Sequence, residues 1–242
     1  MEVAGKSDVG KVRKINEDCI FLNKDRIGCL PNLFIIADGM GGHNAGEMAS
    51  RIAIDSFVEF IKNQAYKNIV NIEEVIINGI DKINKLVYNK SLKNEKFAGM
   101  GTTFLVATLV DSEIYIGNVG DSRLYFANKN LKKITTDHSL VEEMLLEGKI
   151  TKNEADNHPK KNIITRAVGV ESNIKVDIFH KTIEESFYIL MCSDGLTNMI
   201  KEDEILEYIK GIKQIDKGVE ILVDQANKNG GYDNISVILI KK

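Results

Sequence analysis

The sequence has few of the residues that interrupt a chain. Only two prolines, Pro31 and Pro159, occur among its 242 residues, and no tract rich in serine, glycine and proline or in one sign of charge separates the periodic segments. Because linkers between domains are usually marked by such tracts, we predict a single domain over residues 1–242. With 43% hydrophobic residues, a chain of this length can bury a substantial core.

Cysteine is also scarce. Cys19, Cys29 and Cys192 are an odd number of thiols and lack the Cys-x-x-Cys spacing of metal and redox sites. We interpret them as reduced thiols, which favours the cytoplasm, and those at positions 19 and 192 as inert rather than as a redox switch. His138 and His158 are interpreted as turn or surface residues, because no histidine belongs to a zinc-type spacing.

Long apolar segments are missing as well. The first residues, MEVAGKSDVGKVRK, contain no apolar core of a signal peptide, and no segment approaches the roughly 20 apolar residues needed to cross a bilayer. The formal net charge of −3 gives no basis for binding nucleic acid or an anionic membrane. We therefore expect a cytoplasmic protein with neither as a partner.

The most informative stretch is an apolar run that ends in an acid and glycines, LFIIADGMGGHNAGE. Residues 33–37 are too few for a buried helix and show no polar alternation, which predicts a strand covered on both faces. Asp38 then stands at the end of this strand. Gly39, Gly41 and Gly42 allow a sharp turn and a close approach of the backbone to a ligand.

Two other strands carry acids in similar positions. The apolar run Phe187–Cys192 ends in Asp194-Gly195, and Asp233 follows two glycines just before the predicted strand Ile235–Ile240. Near the N terminus, a cation and two acids precede a short apolar run, a pattern that taken alone indicates a solvated hairpin. From Gly99 onward, β-branched and aromatic residues broken at 111–112 and 120–121 predict antiparallel hairpins.

Helices are predicted from apolar periodicity and from capping patterns. Asn44-x-x-Glu47 and Asn71-x-x-Glu74 fit capping boxes ahead of two long amphipathic segments, which end near residues 62 and 89. Similar patterns at Ser139 and Thr151 predict two short helices within residues 139–162, a segment of low apolar density that we interpret as a surface flap. Further helices are predicted over about 201–209 and 215–227.

The acids would repel one another if the fold brought them together. Two carboxylates about 4 Å apart, at an effective dielectric constant near 20, repel by roughly 4 kcal/mol. Either protonation or bound cations must relieve this repulsion. A donor set made only of oxygen atoms favours Mg²⁺ or Mn²⁺, and two such ions about 3.5 to 4 Å apart can activate a water for in-line attack on phosphorus.

Eight motifs occur in one order along essentially the whole chain: VRKINED, ADGMGGHNAGE, GMGTTF, GNVGDSR, TTDHS, ITRAVG, CSDGL and GGYDNIS. With them the sequence resembles the metal-dependent protein serine/threonine phosphatases of the PPM family (type 2C), in their compact bacterial form. The resemblance implies an α+β fold, a four-layer α/β/β/α sandwich with two central antiparallel sheets flanked by helix pairs. Composition and periodicity agree with its parts but do not select this topology.

The resemblance also implies roles for metal ligands. Asp38 would bridge two ions of Mn²⁺ or Mg²⁺, and Gly39 would supply a carbonyl oxygen. Asp121 together with Asp194 would form a third, weaker site. The remaining ligands would be Asp194 and Asp233 at the first ion and, mostly through water, Glu17 and Asp18 at the second.

Two further residues receive roles in the reaction. Arg13 would grip the substrate phosphate, for which its bidentate fork is suited. His43 would be the general acid for the leaving serine or threonine oxygen. Animal relatives place a histidine directly after the Asp-Gly pair, where this chain has Met40.

We therefore expect a phosphatase that removes phosphate from phosphoserine and phosphothreonine in proteins by direct attack of metal-activated water. Phosphorylated proteins would be its substrates, a cognate Ser/Thr kinase would oppose it, and it would be a monomer. Two alternatives stay open. One is a catalytically silent binding module, against which the intact acids, glycines and Arg13 argue; the other is a stress-regulator phosphatase acting on an anti-sigma-type antagonist, with the same chemistry.

Overall fold

The computed structural model describes residues 1–42, 45–64, 71–93, 95–183 and 187–242, with the backbone alone at Asp156. Two antiparallel sheets form the middle of the molecule. In spatial order, the first sheet contains β1 (Glu2–Asp8), β11 (Ile235–Lys241), β10 (Tyr188–Cys192), β7 (Arg123–Ala127) and β8 (Leu131–Lys133). The second contains β2 (Asp18–Asn23), β3 (Leu33–Met40), β5 (Phe104–Val110), β6 (Glu113–Val119) and β9 (Asp177–Thr182), with β4 (Gly101–Thr102) paired to β3.

The helices lie outside the two sheets. They are α1 (Ala45–Lys62), α2 (Ile72–Lys93), α3 (Leu140–Leu146), α4 (Lys152–Asp156), α5 (Asp194–Thr197), α6 (Glu202–Lys210) and α7 (Ile215–Lys228), with a short 3-10 helix at Glu95–Phe97. Apolar residues of α1 and α2 pack on the second sheet, and those of α6 and α7 pack on the first. None of the described helices combines the length and the apolar content that a membrane span requires.

Strand β3 shows how the layers are built. Phe34 and Ile36 face the core between the two sheets, whereas Leu33, Ile35 and Ala37 face the core beneath α1 and α2. All five are fully buried, as predicted for a strand covered on both faces. The predicted four-layer α/β/β/α sandwich is confirmed.

The predicted helices are also present, with small shifts at their ends. Helix α2 runs to Lys93, beyond the predicted end near residue 89, and Asn71 Oδ1 accepts a hydrogen bond from Glu73 N at 2.9 Å. Thr151 forms a complete capping box at α4. Asn44, the predicted cap of α1, lies outside the described residues.

Of the predicted hairpins, only the one at residues 111–112 is confirmed. There Val110 pairs with Glu113, and Asp111 adopts a φ of 53°. The hairpin predicted at Gly120-Asp121 is wrong, because β6 belongs to the second sheet and β7 to the first. The turn instead carries the chain across the sandwich.

The N-terminal hairpin is wrong for the same reason. Strand β1, which the sequence patterns did not indicate, pairs with β11, whereas β2 pairs with β3 in the other sheet. A turn signal marks where a chain reverses, but the choice of the next strand's partner depends on tertiary packing. Two of the segments that cross between the sheets, residues 9–17 and 120–122, contain or border candidate acids.

Candidate active site

Asp38 is held at the end of β3 by the threonines of the GMGTTF motif. Its N–H donates to Thr103 Oγ1 at 2.9 Å, and its carbonyl oxygen accepts from Thr103 N at 2.8 Å and from Thr102 Oγ1 at 2.9 Å. Both polar groups of the Asp38 backbone are therefore paired. The sequence analysis quoted this motif but assigned no role to its threonines.

Asp18 lies directly opposite Asp38 in the pairing of β2 with β3. Its Oδ2 accepts a hydrogen bond from Ser193 Oγ at 2.8 Å, and Ser193 immediately precedes Asp194. Ser193 Oγ also accepts from Ser236 N at 3.0 Å. These bonds join the end of β10 in the first sheet to the edge of the second and so bring Asp194 to the same place.

Glu17 is tied to the last strand by Asn234. Glu17 N donates to Asn234 Oδ1 at 2.8 Å, and Asn234 Nδ2 donates to the carbonyl oxygens of Val9 and Ile15 at 2.9 and 3.0 Å. Asn234 N donates to Asp233 Oδ1 at 2.9 Å. Asn234 therefore clamps the N-terminal crossing segment beside Asp233.

Ser122, the residue after Asp121, connects Asp121 to the site. Ser122 Oγ lies 2.8 Å from Thr103 Oγ1, the same hydroxyl that accepts from Asp38 N. Asp121 is buried, at 7% exposure. The crossing at Gly120-Asp121 therefore delivers a further acid from between the two sheets.

The carboxylates raise one another's pKa values, as expected when acids lie close together. Burial, reinforced by the charges of Asp18, Asp194 and other acids, raises the pKa of Asp38 well above its ordinary value. Burial raises the pKa of Asp18 to about 7, of Asp121 to about 8 and of Asp194 to about 6, in each case with an added contribution from a neighbouring acid. Burial also raises the pKa of Glu17, against the opposing charge of Arg13.

Two glycines let α1 approach this cluster. A Cβ on Gly39 would collide with the carbonyl oxygen of Gly46 in the first turn of α1, and one on Gly46 would collide with the Glu17 carboxylate. Gly39 N also donates to Glu17 O at 3.1 Å. The importance of Gly46 was missed in the sequence analysis, although it belongs to the quoted ADGMGGHNAGE motif.

Arg13 lies at the rim of the cluster, with its side chain 48% exposed. Its Nη2 donates to Asp233 Oδ2 at 2.8 Å. The predicted phosphate-binding residue therefore contacts a predicted metal ligand directly. His43 lies outside the described residues, so its assignment as general acid stays a prediction.

The donor set suits hard divalent cations. Asp18 Oδ1 and Asp121 Oδ1 are buried and have no hydrogen-bond partner in the described part of the chain, and buried carboxylates need protons, hydrogen bonds or cations. Among the described residues no group of three His, Cys, Asp or Glu side chains is arranged to hold one ion. Since Mg²⁺ usually keeps several waters and takes one or two carboxylates, a site of this kind fits the residues present.

The remaining histidine and cysteine predictions have mixed outcomes. His138 was interpreted as a turn or surface residue, which is wrong: it is 5% exposed and its ring is hydrogen-bonded. Cys192 is fully buried, and burial raises the pKa of its thiol to about 12. A thiol with so high a pKa is a poor nucleophile, which supports the interpretation of Cys192 as inert.

Comparison with known proteins gives one consistent family. The model of the protein phosphatase 2C family matches residues 14–225. The chain is 40% identical over 246 residues to the serine/threonine phosphatase stp of Listeria monocytogenes serotype 4b, covering 100% of this chain and 96% of that protein.

Solved structures agree. The serine/threonine phosphatase Stp1 from Staphylococcus aureus superposes with a TM-score of 0.91 at 33% identity, over 100% of this chain and 94% of that one. The catalytic domain of the serine threonine protein phosphatase PstP, in complex with two manganese ions, superposes with a TM-score of 0.84 at 28% identity, over 98% and 96% of the two chains. The chain therefore belongs to the protein phosphatase 2C family.

Proposed function

We propose that this enzyme hydrolyses phosphoserine and phosphothreonine in proteins at a centre of two Mn²⁺ or Mg²⁺ ions. The observation that carries the proposal is the convergence of acids from both sheets, several of them buried with strongly raised pKa values. Divalent cations would relieve this repulsion at neutral pH. The names of the relatives, serine/threonine phosphatases, point to the same substrates.

The acids divide among the ions as follows in this proposal. Asp38 and the Gly39 carbonyl would hold both ions, and Asp121 would join Asp194 at a third, weaker site. When bound, the ions would lower the pKa of water and withdraw charge from the phosphoryl oxygens. The other ligands would be Asp194 and Asp233 at the first ion and, mostly through water, Glu17 and Asp18 at the second.

Arg13 supplies the positive charge that orients the substrate. Its guanidinium is half-exposed at the rim, where a phosphate on a protein surface could reach it, and its fork matches two phosphoryl oxygens. Exchange of its Asp233 partner for phosphate would leave that carboxylate available to a cation. In the proposed reaction His43 protonates the leaving serine or threonine oxygen.

Three wider expectations belong to the proposal. Phosphoserine and phosphothreonine in proteins are products of Ser/Thr kinases, so a cognate kinase should supply the substrates. We propose that the enzyme acts as a cytoplasmic monomer. We also propose that residues 1–242 form one catalytic domain in which residues 139–162, which contain α3 and α4, act as a flap.

The two alternatives differ from this proposal in what they require of the acids. A silent binding module has no need of a buried acid cluster, and replacing these side chains would stabilise it. The arrangement of Asp18, Asp38 and Asp121 therefore favours the enzyme. A phosphatase acting on an anti-sigma-type antagonist uses the same chemistry, so only a screen of phosphorylated proteins separates it from the main proposal.

Turnover of p-nitrophenyl phosphate and of a phosphothreonine peptide, measured with and without Mn²⁺, tests the proposal. We expect turnover that depends on Mn²⁺ and is lost in Asp38→Ala. Arg13→Lys should lower kcat/KM by about 10- to 100-fold, because a lysine cannot make the bidentate contact. The neighbouring exposed cation offers a matched control, Lys14→Gln, which should stay close to the wild type.

Two results would count against the proposal. Full activity in Asp38→Ala would show that Asp38 takes no part in the reaction. Absence of Mn²⁺ binding in calorimetry, together with absence of turnover, would favour the silent module.

A further inference from the structure

The buried ring of His138 is attached to the segment that carries Asp121. Gly120 N donates to His138 Nδ1 at 2.9 Å, and His138 N donates to Gly120 O at 3.0 Å. His138 therefore binds both backbone polar groups of Gly120. The sequence motifs GNVGDSR and TTDHS, separate in the chain, meet through these two bonds.

The far side of the imidazole is held as well. Because Nδ1 accepts from Gly120, the neutral ring carries its proton on Nε2. Nε2 lies 3.2 Å from Asp177 Oδ2 and 2.8 Å from Arg166 Nη1. Arg166 Nη1 donates to Asp177 Oδ1 at 2.8 Å. Asp177, on β9, thus fixes the orientation of the ring, as carboxylates commonly do for functional histidines.

Gly120 is also packed against the residue that holds Asp38. Its φ is +108°, and a Cβ at this position would press on Thr103. On the other side of Asp121, Ser122 Oγ lies 2.8 Å from Thr103 Oγ1. Both neighbours of Asp121 are therefore anchored, while its own Oδ1 is buried with no hydrogen-bond partner in the described part of the chain.

We infer that His138 is a positioning residue: through Gly120 it holds Asp121 at the place where a cation binds. It is not itself a ligand, because Nδ1 is occupied by Gly120 and Nε2 lies against Asp177 and Arg166. The inference rests on the proposed function, since it takes Asp121 as a ligand of the third ion.

The same residue joins this site to the proposed flap. His138 immediately precedes residues 139–162, and its carbonyl oxygen accepts from Thr165 N at 2.9 Å. Leu140 N donates to Ile163 O at 2.9 Å, which closes the base of the segment. Both ends of the proposed flap therefore meet at the residue that holds Gly120.

Two substitutions separate the two sides of the ring. In His138→Asn the new amide oxygen would replace Nδ1 as an acceptor, so this variant should retain the Gly120 contact; His138→Gln places its amide near Nε2 and removes that acceptor. Mn²⁺ binding by calorimetry is the main measurement, and thermal unfolding in EDTA shows whether each variant folds. His158→Gln serves as the matched control, since His158 Nδ1 accepts from Lys160 N at 3.1 Å in an exposed turn.

We expect His138→Gln to weaken the weakest Mn²⁺ binding step by about tenfold, the lower end of what loss of an outer-shell partner costs. His138→Asn should stay within about threefold of the wild type, and His158→Gln should be unchanged. In an Asp121→Ala background, His138→Gln should have no further effect on Mn²⁺ binding, since coupled residues are not additive.

Equal losses in His138→Asn and His138→Gln would overturn the inference, as would an undiminished effect of His138→Gln in the Asp121→Ala background. Failure of the proposed function is a different result. It would appear in the wild-type protein, as no Mn²⁺ binding and no Mn²⁺-dependent turnover.

Discussion

Asp18 and Asp38 face each other across the antiparallel pair β2 and β3, so two acids occupy directly opposed positions in one sheet. Like charges in such positions destabilise a sheet. Here both side chains are strongly affected by burial, and each has its pKa raised further by neighbouring acids. The pair is costly for the fold, and binding of a cation between the acids is the function that would explain its presence.

Removal of one ionisable group from this pair should stabilise the fold and abolish activity. We expect Asp38→Asn, in EDTA, to raise the free energy of unfolding by about 1 kcal/mol, as when a strained active site is relieved. Mn²⁺-dependent turnover should fall by more than the roughly 10- to 100-fold that outer-shell changes cost. Chemical denaturation and a phosphatase assay on the same preparation would measure both.

Asp224→Asn is the control for this substitution. The Asp224 side chain is 62% exposed and pairs with Lys6 at 3.7 Å on the surface. Its replacement should change the unfolding free energy by no more than about 0.5 kcal/mol and leave turnover unchanged. A loss of stability in Asp38→Asn would show that repulsion does not dominate at this pair.

The acid cluster should also make stability depend on pH. Burial and neighbouring acids raise the pKa of Asp194 to about 6, of Asp18 to about 7 and of Asp121 to about 8, whereas an unfolded Asp titrates near about 3.9. Between these values the folded chain binds more protons than the unfolded chain. Its free energy of unfolding therefore decreases as the pH rises from about 4 to about 8.

Calorimetric unfolding in EDTA should accordingly show a Tm that falls between about pH 5 and about pH 8. Mn²⁺ should raise the Tm more at the higher pH, because the cations replace protons on the same carboxylates. Asp38→Asn should reduce this pH dependence. A Tm in EDTA that climbs steadily over the interval would mean that these groups are not protonated in the folded state.

Local patterns in the sequence predicted β3 well and the crossing at Gly120 poorly. An apolar run of strand length with no polar alternation has one common solution, burial on both faces, and residues 33–37 adopt it. A Gly-Asp turn between two β-rich segments is compatible with a hairpin or with a change of sheet. That choice depends on β10, whose pairing with β7 draws the chain into the first sheet.

The assembly of the site lay beyond local patterns for a further reason. Glu17 and Asn234 are hydrogen-bonded although 217 positions separate them in the chain. Periodicity reports the neighbours within a helix or strand, not contacts at such separation. Only the ordered motifs pointed to the convergence of these acids, and they did not indicate that Thr103, Ser193 and Asn234 hold them in place.

The close approach of Gly39 and Gly46 makes a specific prediction. Gly39→Ala should destabilise the protein by about 3 kcal/mol or more, because its Cβ would meet the Gly46 carbonyl group, which cannot move without shifting α1. Gly42→Ala, in the same glycine-rich turn, should cost less than about 0.5 kcal/mol, since no atom of the described residues lies within 4 Å of the added carbon. Similar losses in both variants, measured by chemical denaturation, would disprove the close approach.

Substitution of two buried threonines can distinguish an effect on the site from an effect on the stability of the core. Thr103 and Thr108 are both fully buried on or beside β5; the first accepts from Asp38 N, whereas the second donates to Asn32 O at 2.8 Å. Thr103→Val and Thr108→Val should each lose about 1–3 kcal/mol of unfolding free energy, since each leaves a buried polar group without its partner.

Only Thr103→Val should also change the response to metal. Loss of its hydroxyl leaves the Asp38 N–H without its partner. The Mn²⁺ concentration for half-maximal turnover should therefore rise by about tenfold, as for other outer-shell losses. Thr108→Val should keep the wild-type Mn²⁺ requirement despite its similar stability. If the two variants respond to Mn²⁺ alike, Thr103 contributes to the site only through the stability of β5, and its bond to Asp38 N does not hold the carboxylate in place.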